Sequence, residues 1–190
     1  MAIHPQQQLQ LLKAMMVNKN ASKLLAACVL CFLISACTTT INHVDVSNDK
    51  IKNQKTILSL TCQYRLLAVN DKRQSGDNAG LLGLNEFSFA NPEEVVSAQL
   101  VAAGMHTAND SSGSDVVIDI KHIYMSMNQS SKIPTVVYSV HVNDSKEFII
   151  RGQAVSMIWN GNEKEAYNSF SAAFQSANSQ LVTKLNQQCK

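Results

Sequence analysis

Cys37 is the residue whose setting most clearly invites chemistry. It closes the stretch Leu33 to Cys37, "LISAC", and Thr38, Thr39 and Thr40 follow it. A thiol is a nucleophile that can be alkylated, and the small side chains of Ser35 and Ala36 leave room for a peptidase at the bond before it. A second set of residues lies in "HIYMSM", where His122, Met125 and Met127 stand one strand away from His141. Imidazole with soft sulfur suits copper. In a regular strand, however, His122 points away from Met125 and Met127, so they converge only if a bulge rotates one of them. The competing reading is core methionines and exposed histidines. Nothing else has catalytic spacing: there is no GxSxG, no HExxH and no cysteine with an activating histidine. Gly76, Gly80 and Gly83 lack the lysine and spacing of a phosphate cradle and imply a flexible loop. The expectation is a protein that is not an enzyme and needs no cofactor.

The chain before Cys37 is an address. Leu24 to Ile34, "LLAACVLCFLI", would be about 16 Å long as a helix, too short for roughly 30 Å of bilayer hydrocarbon. Lys19 and Lys23 precede it and small residues follow, the charged, apolar, small-residue order of a secretory signal. A buried core helix is the alternative, but the run has no polar face and no caps. "ISAC" resembles the lipobox of bacterial lipoproteins. That resemblance implies a diacylglyceryl thioether on Cys37, cleavage before it, and acylation of the new amino group with fatty acids such as palmitate. Thr38 stands where an aspartate would favour inner-membrane retention, so the outer membrane is the implied destination, with the domain facing the periplasm. Residues 1–36 are thus expected to be a signal peptide, with Met16 as an alternative start.

Residues 37–190 make 154 residues, enough for one domain with a sizeable core. Losing Lys13, Lys19 and Lys23 leaves 13 basic residues against 14 acidic ones. Nucleic-acid binding therefore lacks the concentrated basic surface it needs. Cys28 and Cys31 leave with the signal, and only Cys62 and Cys189 remain beside Cys37. In an oxidising compartment an even pair suggests one disulfide, the alternative being two unpaired buried thiols.

The remaining pattern describes the scaffold. Residues 37–55 are polar without an apolar period and imply a flexible lipidated tether spanning about 25 Å. Residues 56–190 form the domain. A first strand is expected from Thr56, buried through Leu58, Leu60, Cys62 and Tyr64, then a loop to Asn85. "NPEE" predicts a helix with Asn91 as N-cap, running to Ala103 and stopped by Gly104. Its core stripe is Val95, Val96, Leu100 and Ala103, with Gln99 at the edge. Strands over Asp115–Met127, Thr135–Val142 and Glu147–Trp159 form an antiparallel meander, and a change of phase near His122 calls for a bulge. A second helix begins behind Asn162 as cap, with Glu165 in the capping-box position. Tyr167, Phe170, Phe174, Ala177, Leu181 and Leu185 form its core stripe. The expected fold is α+β, a single domain whose antiparallel sheet of four to five strands carries two helices on one face.

Lipobox, tether, a strand ending in the "VNDKR" turn, a helix closing on "LVAAGM", a hairpin and a C-terminal helix together resemble the YajG-type family of outer-membrane lipoproteins. More distantly they look like auxiliary lipoproteins of envelope transport machines. The resemblance implies an α+β domain, no catalytic residues and Cys37 as the one transferred site. Asp71 and Arg73 within "VNDKR" read by default as a structural turn; they could form a local ion pair, worth about 0 to 1 kcal/mol if exposed. The function expected is binding of an envelope protein, in an assembly or accessory role, through a sheet face or edge of the Thr135–Trp159 hairpin. A lipid or small-molecule carrier with an apolar cavity, or a periplasmic copper-binding protein, are the alternatives.

Overall fold

The computed structural model describes residues 40–46, 48–52, 58–109, 113–128, 131–155 and 163–189. Residues 41–190 form one compact unit. Its strands are β1 (Asn42–Asp45), β2 (Tyr64–Asp71), β3 (Asn78–Leu82), β4 (Asn85–Ser88), β5 (His106–Thr107), β6 (Ser114–Asn128), β7 (Ser131–Val142) and β8 (Phe148–Gln153). Its helices are α1 (Asn48–Lys52), α2 (Pro92–Ala102) and α3 (Glu163–Gln188).

The expected meander is present as β6–β7–β8, antiparallel throughout, within a five-stranded sheet of order β5-β2-β6-β7-β8. The bulge falls where the phase change placed it. Ile120 pairs with Tyr138 and His122 with Val137, so Lys121 is the extra residue. Ile118, Ile120, Ile123 and Met125 thereby all reach the core.

The single antiparallel sheet is corrected in two ways. First, β2 runs parallel to β6, because α2 carries the chain back between them to start a strand in the same direction. Second, a separate three-stranded sheet of order β1-β4-β3 exists where tether and loop were expected. Residues 42–46 and 48–52 are not a free tether: β1 pairs in parallel with β4, and Val46 and Ile51 are core residues. The loop after β2 contains the β3–β4 hairpin, with Gly83 at φ 60° in the first turn position, where a type II′ turn asks for glycine. The first strand also starts later than expected, at Tyr64, with Leu58 exposed.

The α2 helix ends as expected: Met105 N–H donates to Leu100 O and Gly104 N–H to Val101 O, a Schellman motif around Gly104 at φ 100°. Its start differs. Asn91 adopts a left-handed conformation (φ 47°) and makes no side-chain cap. Its carbonyl instead accepts from Glu94 N–H and Asn48 Nδ2. Gln99 lies inside the core and not at its edge, donating to Ile51 O at 2.8 Å and accepting from Asn178 Nδ2 at 2.6 Å. This buried chain of hydrogen bonds joins α1, α2 and α3, and no group in it could lose its partner cheaply.

The α3 stripe is buried at every named position from Tyr167 to Leu185. Phe170 and Phe174 meet Phe87 and Phe89 beside the small sheet, with ring centroids 5.2 to 6.2 Å apart. Over the large sheet, α3 approaches so closely that Gly152 faces the backbone of Ala173 and Ala177. Asn162, the expected cap, and residues 156–159 of the expected last strand lie outside the described residues.

Candidate functional site

The outer edge of β8 offers unpaired hydrogen-bonding backbone. Among the described residues no strand pairs with its far side. Ala154 N–H donates to Pro134 O, so the even-numbered residues of β8 turn their N–H groups toward β7 and the odd-numbered ones turn outward. Ile149, Arg151 and Gln153 therefore present outward backbone, and their side chains are exposed. Beside them runs an open groove of about 580 Å³, lined by Ile149 and Ile150 of β8 and by Ser179, Gln180, Thr183 and Lys184 of α3, among others. Its floor is apolar and its α3 wall polar. Gln180 Nε2 donates to Arg151 O at 3.0 Å and is held from behind by Ser176 Oγ. One outward carbonyl is thus shielded by a side chain that can swing aside, a common way to blunt an edge. Lys184 Nζ lies 4.0 Å from the centroid of Phe148, at the beginning of the strand.

The face of the sheet turned away from the helices is polar and tightly paired. Arg65 bonds Asp115 at 2.6 Å, and Asp119 accepts from Asn70 at 2.9 Å and Lys121 at 3.0 Å. The Asn70 amide leads the influences that hold the Asp119 carboxyl below its ordinary range; burial opposes it and Lys121 adds to it. Arg151 donates to Tyr124, and Glu147 takes the Ser139 hydroxyl. Acids that are already hydrogen-bonded hold the sheet face in shape.

The other residues singled out in the sequence fall as follows. Cys37 lies outside the described residues. Cys62 and Cys189 are joined as a disulfide, with Cα atoms 6.0 Å apart. The same junction is held by Asn186, which accepts from Thr61 N–H and donates to Ser59 O, and by Tyr64 Oη donating to Leu185 O. Burial pushes the Tyr64 hydroxyl pKa up.

The structure does not gather His122, Met125, Met127 and His141. His122 is exposed, Met125 is buried, Met127 is exposed with Lys132 Nζ against its sulfur, and His141 pairs with Val117. Five strand positions separate Val117 from His122, roughly 16 Å. The bulge absorbs one residue into the core phase of β6 without bringing imidazole to sulfur.

The local ion pair of Asp71 and Arg73 is present, with its arginine buried. The Arg73 side chain is 0% exposed and donates from Nε and Nη2 to the Asp71 carboxylate, then from Nη2 to Phe89 O at 2.8 Å. It fastens the end of β2 to the end of β4, and so one sheet to the other. Burial raises the Asp71 pKa, but the Arg73 hydrogen bonds and charge outweigh it and leave that carboxyl below its ordinary value. The short D-x-R spacing was legible; its burial was not, because it depends on a sheet built from distant residues.

No family model matches the chain, and no curated protein matches it either. Solved structures give distant likenesses. One is a crystal structure of an uncharacterised protein, at 8% identity and TM-score 0.41, with 80% of this chain and 99% of that one covered. Another is a minor lipoprotein from Acinetobacter baumannii, at 8% identity and TM-score 0.40, with 68% of this chain and 96% of that one covered. Each is a similarity of outline, and neither assigns this chain to a family.

Proposed function

We propose that this chain is an outer-membrane lipoprotein, anchored through Cys37, whose periplasmic domain binds an extended segment of an envelope protein along β8 and performs no turnover. The observation that carries the binding reading is the β8 edge, with outward backbone at Ile149, Arg151 and Gln153 beside a groove whose wall belongs to a different element. Addition of a strand there would supply backbone hydrogen bonds, while the groove would select side chains. The anchor rests on the lipobox resemblance of "ISAC". The non-enzymatic reading is supported by the acids themselves: Asp71, Asp115, Asp119, Glu86 and Glu147 each hold a structural partner.

Two substitutions test the parts separately. Cys37→Ala should abolish palmitate labelling and leave the precursor unprocessed; labelling that survives rejects the anchor. Ile149→Pro removes an outward N–H and leaves the β7 ladder intact, so the domain should keep its circular dichroism spectrum while losing a partner captured from crosslinked envelopes. Unchanged capture by the folded variant rejects the edge. Val137 is unsuitable for this test, because β7 is paired on both sides.

A further inference from the structure

The small sheet ends in an exposed apolar tip. Leu81 is 58% exposed, Leu84 50% and Ile41 46%. They belong together: Asn42 N–H donates to Leu84 O at 2.7 Å, His43 pairs with Glu86 across β1 and β4, and Leu81 pairs with Glu86 across β4 and β3. Ile41 just before β1, Leu84 in the β3–β4 turn and Leu81 of β3 therefore lie at one end of the small sheet, while Leu82 and Phe87 turn inward. The Leu84 carbonyl is satisfied by Asn42, so this part of the turn can enter an apolar layer without stranding it.

Chain length says what covers the tip. Only Thr38, Thr39 and Thr40 separate Cys37 from Ile41. Fully extended, that distance is at most about 14 Å. The headgroup layer on each side of a bilayer is itself about 5 to 7 Å deep. With no long tether, a lipid on Cys37 cannot lift this end of the domain clear of the surface. Gly80 of β3 lies against the Met125 backbone, so exposed Met127 and the adjacent Lys132 stand at the same end of the molecule. A lysine suits an anionic phospholipid surface.

We propose that the Ile41–Leu81–Leu84 tip rests in the headgroup layer of the phospholipid surface that carries the anchor, an inference that rests on lipidation of Cys37. The small sheet then sets the domain's orientation and holds the α2 C-terminus at the far end. That far end is fixed by topology: Leu60 N–H donates to Ala103 O, and Tyr64 pairs with Ser114, eleven positions along β6 from Met125.

The test uses the full lipidated protein, with Trp159→Phe to remove its own tryptophan, in vesicles of phosphatidylethanolamine and phosphatidylglycerol carrying brominated acyl chains. The mass of the N-terminal peptide reports the anchor, and tryptophan quenching reports the tip. Leu84→Trp should be quenched about threefold more strongly than Val101→Trp at the far end. Adding Ile41→Ser and Leu81→Ser to Leu84→Trp should remove most of that difference. Equal quenching at both sites with lipid present on Cys37 overturns the membrane contact alone and leaves the tip to a protein, including a second copy of this chain. An unmodified Cys37 overturns the anchor and this proposal together.

Discussion

Among the described glycines, Gly152 has the least room for a side chain. A Cβ there would lie 2.3 Å from Ala173 O, 2.4 Å from Ala177 N and 2.6 Å from Ala177 Cβ. Ordinary contact begins near 3.4 Å, so β8 and α3 must part by about 1 Å. Two of the three obstacles are helix backbone, which no rotamer change relieves. Nor can the helix yield locally, since Phe170, Phe174, Leu181 and Leu185 lock it on both sides of the contact. The whole helix must lift, loosening packing along its stripe, and a loss of about 3 kcal/mol is expected, the upper part of the range for overpacking. With a urea slope of about 2 kcal/mol per molar, the midpoint falls by about 1.5 M. Gly76→Ala is the control: its φ is +57° and nothing lies within 4 Å, so it carries backbone strain alone, about 1 kcal/mol. If urea titration shows Gly152→Ala to be no more damaging than Gly76→Ala, the close approach of α3 is wrong, and with it the wall of the β8 groove.

Three further outcomes are expected. Reducing the Cys62–Cys189 bond, or replacing both residues by serine, should lower stability by about 2 to 5 kcal/mol in urea titration; two alkylated thiols found without reductant would show that the bond does not form. Asp71 and Asp119 both have lowered folded pKa values, so their stabilisation is present above the ordinary carboxylate pKa of 3.8 and is lost as pH falls through the folded values. Melting temperature should fall steeply below about pH 4, and Asp71→Asn should flatten that fall; an equally steep fall in the variant rejects Asp71's part in it. The Tyr138 hydroxyl is buried without a hydrogen-bond partner among the described residues, and burial raises its pKa well above the ordinary value. Tyr138→Phe should therefore stabilise by about 1 kcal/mol, and a clear loss on melting would reveal a missing partner.

Elements with their own period were legible in the sequence. The α3 stripe, the alternation of β6 to β8 and the phase change at His122 follow from patterns that a single buried face imposes. The small sheet was not. "NHVD" of β1 and "NEFS" of β4 are four residues each, too short to display alternation, and they pair over some forty positions. Gln99 shows the same limit: a glutamine on a helix stripe belongs at the rim until Ile51 O and Asn178 are known to meet it. Of the candidate site, the hairpin could be read from its β-branched residues. Which strand was the edge, and that Gln180 guards it, depended on where α3 came to lie.

The parallel pairing of β2 with β6 also governs when this chain can fold. Tyr64 waits for Ser114, fifty positions later, and Asn42 waits for Asn85. The β6–β7 hairpin can close on local contacts, but its inner face stays uncovered until α3, the last described element, is available. A fragment released at Val155 would expose Ile118, Ile120, Tyr138 and Val140 to water, and should give the circular dichroism spectrum of an unfolded chain. For a newly made chain such lateness means that the front of the domain has nothing to fold onto until residues 163–188 are at hand.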